Sequence, residues 1–131
     1  GGFNEEHKVS LNTAKQISKA LKKLKIYFRT LTVNPKTFKK DIMKFSTNYI
    51  CFNALHGTFG EDGKIQKILK NKKFVVTHSN QLSSANCFNK LKSKNIVKKF
   101  KITTPSFETV KCGKINSIFL NVMKKNFRDL L

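Results

Sequence analysis

The stretch YICFNAL, residues 49–55, decides the fold class, because a nearly continuous apolar run is typical of a strand covered on both faces. It leads into HGTFGEDG, residues 56–63, a loop that contains three glycines. Helical spacing of apolar residues follows over residues 64–71, and residues 74–77 predict another short strand. Because strand, loop, helix and strand follow one another, we expect an α/β fold with a parallel sheet.

The segments on either side continue this alternation of helices and strands. Upstream, apolar residues three or four apart predict an amphipathic helix, a β-branched and aromatic run predicts a strand, and a short helix follows. Downstream, a helical region in two pieces precedes a break, a possible new strand and a helix-like tail. In chain order these are Val9–Leu24, Lys25–Val33, Lys36–Phe45, Ser83–Phe100, Phe107–Val110 and Asn116–Leu131.

The composition is strongly basic: 27 Lys and Arg residues against 7 Asp and Glu give a net charge of +20. This charge leaves open a binding module for nucleic acid or another polyanion. Only two of the basic residues are arginines, however, and the lysines are spread along the chain, so specific nucleic-acid recognition is not expected. No apolar run approaches the roughly 20 residues of a membrane span. Three scattered cysteines suit a reducing cytoplasm.

Two loops, residues 1–10 and residues 56–63, concentrate the acidic residues of this lysine-rich chain. They contain four of its seven carboxylates and five of its six glycines. The carboxylates could cap helices, or one could receive the ammonium group of an amino-acid ligand. They are Glu5, Glu6, Glu61 and Asp62. His56 could likewise be a hydrogen-bonded structural residue at the end of the strand or a residue of the site.

Several segments together resemble D-alanine–D-alanine ligases. The glycine pair at residues 1–2 with EHKVSL at residues 6–11 is similar to the opening signature of that family, and residues 52–63 are similar to its second signature. The spacing of Lys90 and Lys94 and the sequence ITTP at residues 102–105 continue the match. The resemblance covers residues 1 to about 110.

The resemblance implies a Rossmann-like parallel sheet that precedes an ATP-grasp fold, with the first strand missing and the ATP-grasp part truncated. The expected domains are residues 1–95, which bind substrate, and residues 96–131, the start of the ATP-grasp domain. The full-length parent would use ATP and Mg²⁺ to join two D-alanines through an acyl phosphate for peptidoglycan synthesis. It would be a cytoplasmic homodimer without a membrane or nucleic-acid partner. This chain alone would be inactive; a gene remnant, or a parent that joins D-alanine to D-lactate or D-serine, stays open.

The resemblance also assigns roles to individual residues. Glu6 would be the catalytic-site anchor for the ammonium group of the first D-alanine, with Ser10 holding the loop near it. His56 would lie beside that substrate, and Lys94 would approach the nucleotide phosphates. No metal ligand is expected in this chain. The wall of the substrate site would be formed by Gly57, Glu61, Asp62 and Gly63.

Overall fold

The computed structural model describes residues 5–107 and residue 109. Their helices and strands alternate, and the predicted tail helix over Asn116–Leu131 lies outside the described residues. Residues 108 and 110 of the possible strand at Phe107–Val110 also lie outside them. In chain order the elements are α1 (His7–Lys23), α2 (Phe38–Asp41), a 3₁₀ turn (Ile42–Lys44), β1 (Ile50–Cys51), α3 (Lys64–Asn71), β2 (Val75–Val76), α4 (Gln81–Phe88) and α5 (Lys90–Lys99).

The two strands form a small parallel sheet, with Ile50 opposite Val75 and Cys51 opposite Val76. The N–H of Thr77 donates to the Cys51 carbonyl over 3.2 Å and extends the pairing by one bond. Helix α3 provides the connection between the strands, as parallel pairing requires. The predicted α/β class and the parallel sheet are therefore confirmed.

A small apolar core lies between α2, α3 and one face of the sheet. Its buried members come from three helical segments and from the residue before β2. The ring of Phe59, in the loop before α3, meets the Phe38 ring edge to face at 5.9 Å between centroids. Leu31, Val33 and Cys51 pack against the same cluster. The buried members are Phe38, Ile42, Ile65, Leu69 and Phe74.

The prediction that the strand over residues 49–55 is covered on both faces is wrong for the described part of the chain. Only Ile50 and Cys51 form the strand, and successive residues of a strand point to opposite faces. Cys51 packs on the core, whereas Ile50 is 65% exposed and its partner Val75 is 59% exposed. One face of the sheet is therefore apolar and open.

The predicted strand over Lys25–Val33 does not form. This segment has strand-like composition, but a strand needs a neighbour to accept and donate its ladder hydrogen bonds. The sheet within the described residues contains β1 and β2 alone. Leu31 and Val33 still pack against the core, while Tyr27 lies exposed. Apolar packing holds the segment in place without making it a strand.

The predicted division of residues 83–100 into two helical pieces is confirmed, and two asparagines explain it. Asn80 begins α4, with its side-chain oxygen accepting from the N–H of Ser83 over 3.0 Å. Asn89 has extended backbone between the helices and caps α5 through the N–H of Lys92. Such caps satisfy N–H groups that lack a partner within the helix. Among the described residues, no helix is long and apolar enough to cross a membrane.

Candidate functional site

The two signature segments meet where α1 packs beside the loop of residues 56–63. Ser10 is buried, at 3% exposure, and its hydroxyl donates to the Glu6 carbonyl over 3.1 Å. The same oxygen accepts from the backbone N–H of His56 over 3.0 Å. A hydroxyl has a single hydrogen to donate. Ser10 therefore uses that hydrogen within α1 and uses a lone pair to fix the start of the loop.

The imidazole of His56 lies between α1 and the loop. Its Nε2 is 2.9 Å from the hydroxyl of Thr13, which lies three residues after Ser10 on the same helix. Its Nδ1 is 3.7 Å from a carboxylate oxygen of Glu61. The side chain keeps 36% of its surface exposed. The ring is therefore oriented by its hydrogen bond to Thr13, has the Glu61 carboxylate near its other nitrogen and remains partly accessible.

The loop closes on itself through Glu61 and Gly60. The Glu61 carboxylate accepts from the N–H of Gly57 over 2.8 Å. The Gly60 carbonyl accepts from the side-chain amides of Asn53, over 2.8 Å, and Gln66, over 2.9 Å. A side chain at Gly60 would bring its Cβ within 2.4 Å of the Leu55 Cβ. Glycine is thus required there because the Gly60 backbone passes directly against Leu55.

Asp62 and Gly63 connect the loop to α3. An oxygen of Asp62 accepts from the N–H of Lys64 over 3.1 Å, and the other pairs with the Lys64 ammonium at 2.8 Å. Burial favours the neutral form of Asp62, but these interactions and a backbone N–H from Phe59 outweigh it and lower the pKa of the carboxyl. Gly63 has φ +88° and faces α4, where an added Cβ would lie 2.6 Å from the Gln81 carbonyl.

Glu6 occupies the position that begins α1, and its side chain is exposed. Its carboxylate makes no capping hydrogen bond to the helix. Glu6 therefore does not cap α1 through a hydrogen bond. Asp62 is not the N-cap of α3 either, because Gly63 holds that position, but its carboxylate accepts from the first N–H of the helix. Glu5 is exposed beside it.

Lys94 lies on α5, and its described contacts are with the segment that follows the helix. Its ammonium donates to the Pro105 carbonyl over 2.8 Å and lies 4.9 Å from the centre of the Phe107 ring. Hydrogen bonds among the described residues join Ser10 to the Glu6 backbone carbonyl and to His56, and join Glu61 to Gly57. Lys94 instead contacts Pro105 and Phe107.

A separate open depression of about 180 Å³ lies at the carboxyl end of β2 and the start of α4. None of the residues assigned from the sequence to substrate or nucleotide lines it. Its walls include a buried amide and a lysine from α3, Gln66 and Lys70, and His78 after β2. No group of three His, Cys, Asp or Glu side chains in the described part of the chain is placed to hold a metal ion.

Three residues of this region were missed from the sequence: Thr13, Asn53 and Gln66. Thr13 could have been found, since residues three apart on a helix share a face and Ser10 already pointed to the loop. Gln66 carried a weaker signal, because a polar residue between Ile65 and the apolar positions of α3 looks solvent-facing in sequence. It is instead 5% exposed and serves the Gly60 carbonyl.

Comparison with known proteins agrees with the two signatures. No family model matches the chain. The D-alanine–D-alanine ligase of Pelagibacter ubique (strain HTCC1062) is 40% identical over 129 residues, which make up 98% of this chain and 41% of that protein. The corresponding ligase of the Wolbachia of Brugia malayi is 38% identical over 88% of this chain and 33% of its own length. That of Thermotoga petrophila is 37% identical over 75% of this chain and 32% of its own.

The chain thus spans less than half the length of the relatives it matches, while those matches take in most of its own residues. The alignment with the first of them leaves almost no part of the chain unmatched. By sequence, the chain is a relative of the D-alanine–D-alanine ligases and corresponds to part of such a ligase.

Proposed function

We propose that this chain is the substrate-binding part of an ATP-dependent D-alanine–D-alanine ligase, and that the junction of α1 with the loop of residues 56–63 binds the first D-alanine. The hydrogen bond from the His56 N–H to the Ser10 hydroxyl carries the proposal. It joins the two signature segments across 46 positions in the chain. Relatives named as D-alanine–D-alanine ligases support the substrate.

The whole protein would activate one D-alanine carboxylate as an acyl phosphate with ATP, and the amine of a second D-alanine would attack it. The product would serve peptidoglycan synthesis in the cytoplasm, and the parent would be a homodimer. We propose residues 1–95 as a Rossmann-like domain and residues 96–131 as the start of an ATP-grasp domain. Helix α5 (Lys90–Lys99) crosses that boundary and would connect the two.

Within this scheme Glu6 receives the ammonium group of the first D-alanine. Its carboxylate is exposed and takes no part in capping α1, so it is available to a cationic ligand. The carboxylate of the same ligand would face the N-terminal end of α1, where backbone N–H groups and the helix dipole favour negative charge. His56, partly accessible at this junction, would help to position that carboxylate.

The remaining assigned residues shape the site without needing to touch the ligand. Ser10 holds the loop against α1, and Glu61 closes the loop on the Gly57 N–H. Asp62 and Gly63 set the direction in which α3 leaves the loop. These contacts keep the wall of the proposed subsite in one geometry, which lowers the entropic cost of binding a small ligand.

ATP and Mg²⁺ would be held mainly outside the described residues. Lys94 is the one assigned phosphate contact, and its ammonium suits a point contact with a phosphate oxygen. When bound, Mg²⁺ neutralises phosphate charge during phosphoryl transfer. The described part of the chain offers no group of ligands for it, so no step at the metal is assigned to these residues.

The test is titration of the ¹⁵N-labelled chain with D-alanine and, separately, L-alanine, followed by NMR. D-alanine should shift the amide signals of His56 and Gly57, and L-alanine should do so more weakly. Glu6→Gln should weaken D-alanine binding by about tenfold, the cost of a charge-assisted hydrogen bond. Glu5→Gln is the matched control, because Glu5 is the exposed neighbour of Glu6. Equal effects of the two enantiomers, or of the two variants, would overturn the proposal.

A further inference from the structure

The segment that follows α5 folds back along the helix and returns to Lys94. Helix α5 ends where Lys101 adopts φ +58° and the N–H of Ile102 donates to the Val97 carbonyl over 3.2 Å. A left-handed residue after the helix together with this hydrogen bond is the Schellman motif, which commonly terminates helices. From residue 94 to residue 101 a helix rises about 10 Å. The four steps of the chain from residue 101 to residue 105 span at most about 14 Å, so the returning chain reaches Lys94 directly.

At that point two different groups hold the Lys94 ammonium. The Pro105 carbonyl accepts one of its hydrogens over 2.8 Å, and the nitrogen lies over the Phe107 ring, 4.9 Å from the ring centre. An ammonium group has three donors, so a carbonyl that takes one leaves two for another acceptor. A lysine side chain otherwise loses considerable rotamer freedom when it binds. Both contacts therefore restrict Lys94 without using up its hydrogen-bonding capacity.

We propose that Phe107 is a positioning residue that, together with the Pro105 carbonyl, pre-orients Lys94 for a phosphate group. The inference rests on the proposed role of Lys94 beside the nucleotide phosphates. Phe107 acts through Lys94: its ring attracts the ammonium by a cation–π interaction and contacts no phosphate itself. The segment that follows α5 thus positions the cation that binds the phosphate.

The experiment measures binding of sodium tripolyphosphate to the whole chain by calorimetry at about 0.15 M salt, where diffuse attraction to the many lysines is screened. Phe107→Leu keeps apolar bulk and removes the aromatic face, so it should weaken binding about 2- to 5-fold. Phe107→Trp should bind at least as well as the unaltered chain. Lys94→Met should weaken binding about tenfold, whereas Lys98→Met, one helical turn away on α5, should have a much smaller effect.

The double variant decides the mechanism. If Phe107 acts through Lys94, then Phe107→Leu should change nothing further in a Lys94→Met background. An additive effect in that background, or no effect of Phe107→Leu alone, overturns the positioning role. If Lys94→Met binds no worse than Lys98→Met, the assignment of Lys94 to a phosphate fails instead, and the inference falls with it. Circular dichroism of each variant should match the unaltered chain, because Phe107 is 41% exposed and Lys94 is not buried.

Discussion

At the scale of single residues, Ser10 makes the most consequential hydrogen bonds in the described structure. Its hydroxyl is buried and serves both the Glu6 carbonyl and the His56 N–H. Ser10→Ala would remove the hydrogen bond from the His56 N–H, and the loss of such a bond typically costs about 1–3 kcal/mol. Urea denaturation should show that loss. Ser18→Ala, on the same helix, should change the free energy of unfolding by less than about 0.5 kcal/mol; equal losses would show that Ser10 has no special role.

Asp62 gives the described chain a specific acid sensitivity. Its pKa is lowered in the folded state, so its stabilising effect is present above the ordinary value of 3.8 and is lost as the pH falls through the lower folded value. Asp62→Asn should therefore cost about 0.5–1 kcal/mol at neutral pH, because its partner Lys64 is largely exposed. Denaturation curves at neutral pH and near pH 2 test this. A difference that persists unchanged at the lower pH would contradict it.

At the scale of elements, the sheet has one face packed on the core and one open face. Substitutions at the two neighbouring residues of β2 test the two faces separately. Val75 lies on the open face and Val76 packs on the core. Val75→Thr should change stability by less than about 0.5 kcal/mol, whereas Val76→Thr places a hydroxyl against apolar side chains and should cost about 1–3 kcal/mol. Thermal denaturation of the two variants checks the order. Equal costs would mean that both faces are covered.

Comparison of the predicted and observed elements shows which of them local sequence patterns can predict. Helix α3 was predicted with its observed ends because Ile65, Ile68 and Leu69 repeat at helical spacing. The break before α5 was predictable because Asn89 favours a cap over a helix interior. The Lys25–Val33 segment has an equally strong strand pattern, yet a strand depends on a neighbour that no local pattern specifies. The prediction failed at the point where tertiary context decides.

In the candidate site too, local sequence patterns predict some features and tertiary contacts decide the others. Ser10 and His56 could be assigned to one place only through the resemblance, since nothing in the spacing of positions 10 and 56 says that they meet. Their hydrogen bond supplies that information. Two further residues complete the junction: Thr13 bonds to the His56 ring, and the Asn53 amide donates to the Gly60 carbonyl. Composition and periodicity do not predict these side-chain contacts.

At the scale of the whole molecule, the chain should not carry out ligation by itself. Its match covers 41% of the length of the Pelagibacter ubique ligase, and phosphoryl transfer from ATP depends on metal ions that hold and neutralise the phosphates. Incubation with D-alanine, ATP and Mg²⁺ should release neither phosphate nor dipeptide above the level of a chain-free control. Sustained formation of D-alanyl-D-alanine, absent in Glu6→Gln, would refute this expectation.

Because Cys51 lies on the core side of β1, the rate at which its thiol is alkylated measures how readily the two strands separate. Burial raises the pKa of the Cys51 thiol, while Cys87 on α4 is exposed. Alkylating reagents attack the thiolate, so iodoacetamide should modify Cys87 rapidly and Cys51 slowly. Peptide mass spectrometry distinguishes the two sites. If the Cys51 rate rises with urea well before the circular dichroism changes, the two strands separate in a local opening; if both change together, β1 and β2 part only when the whole domain unfolds.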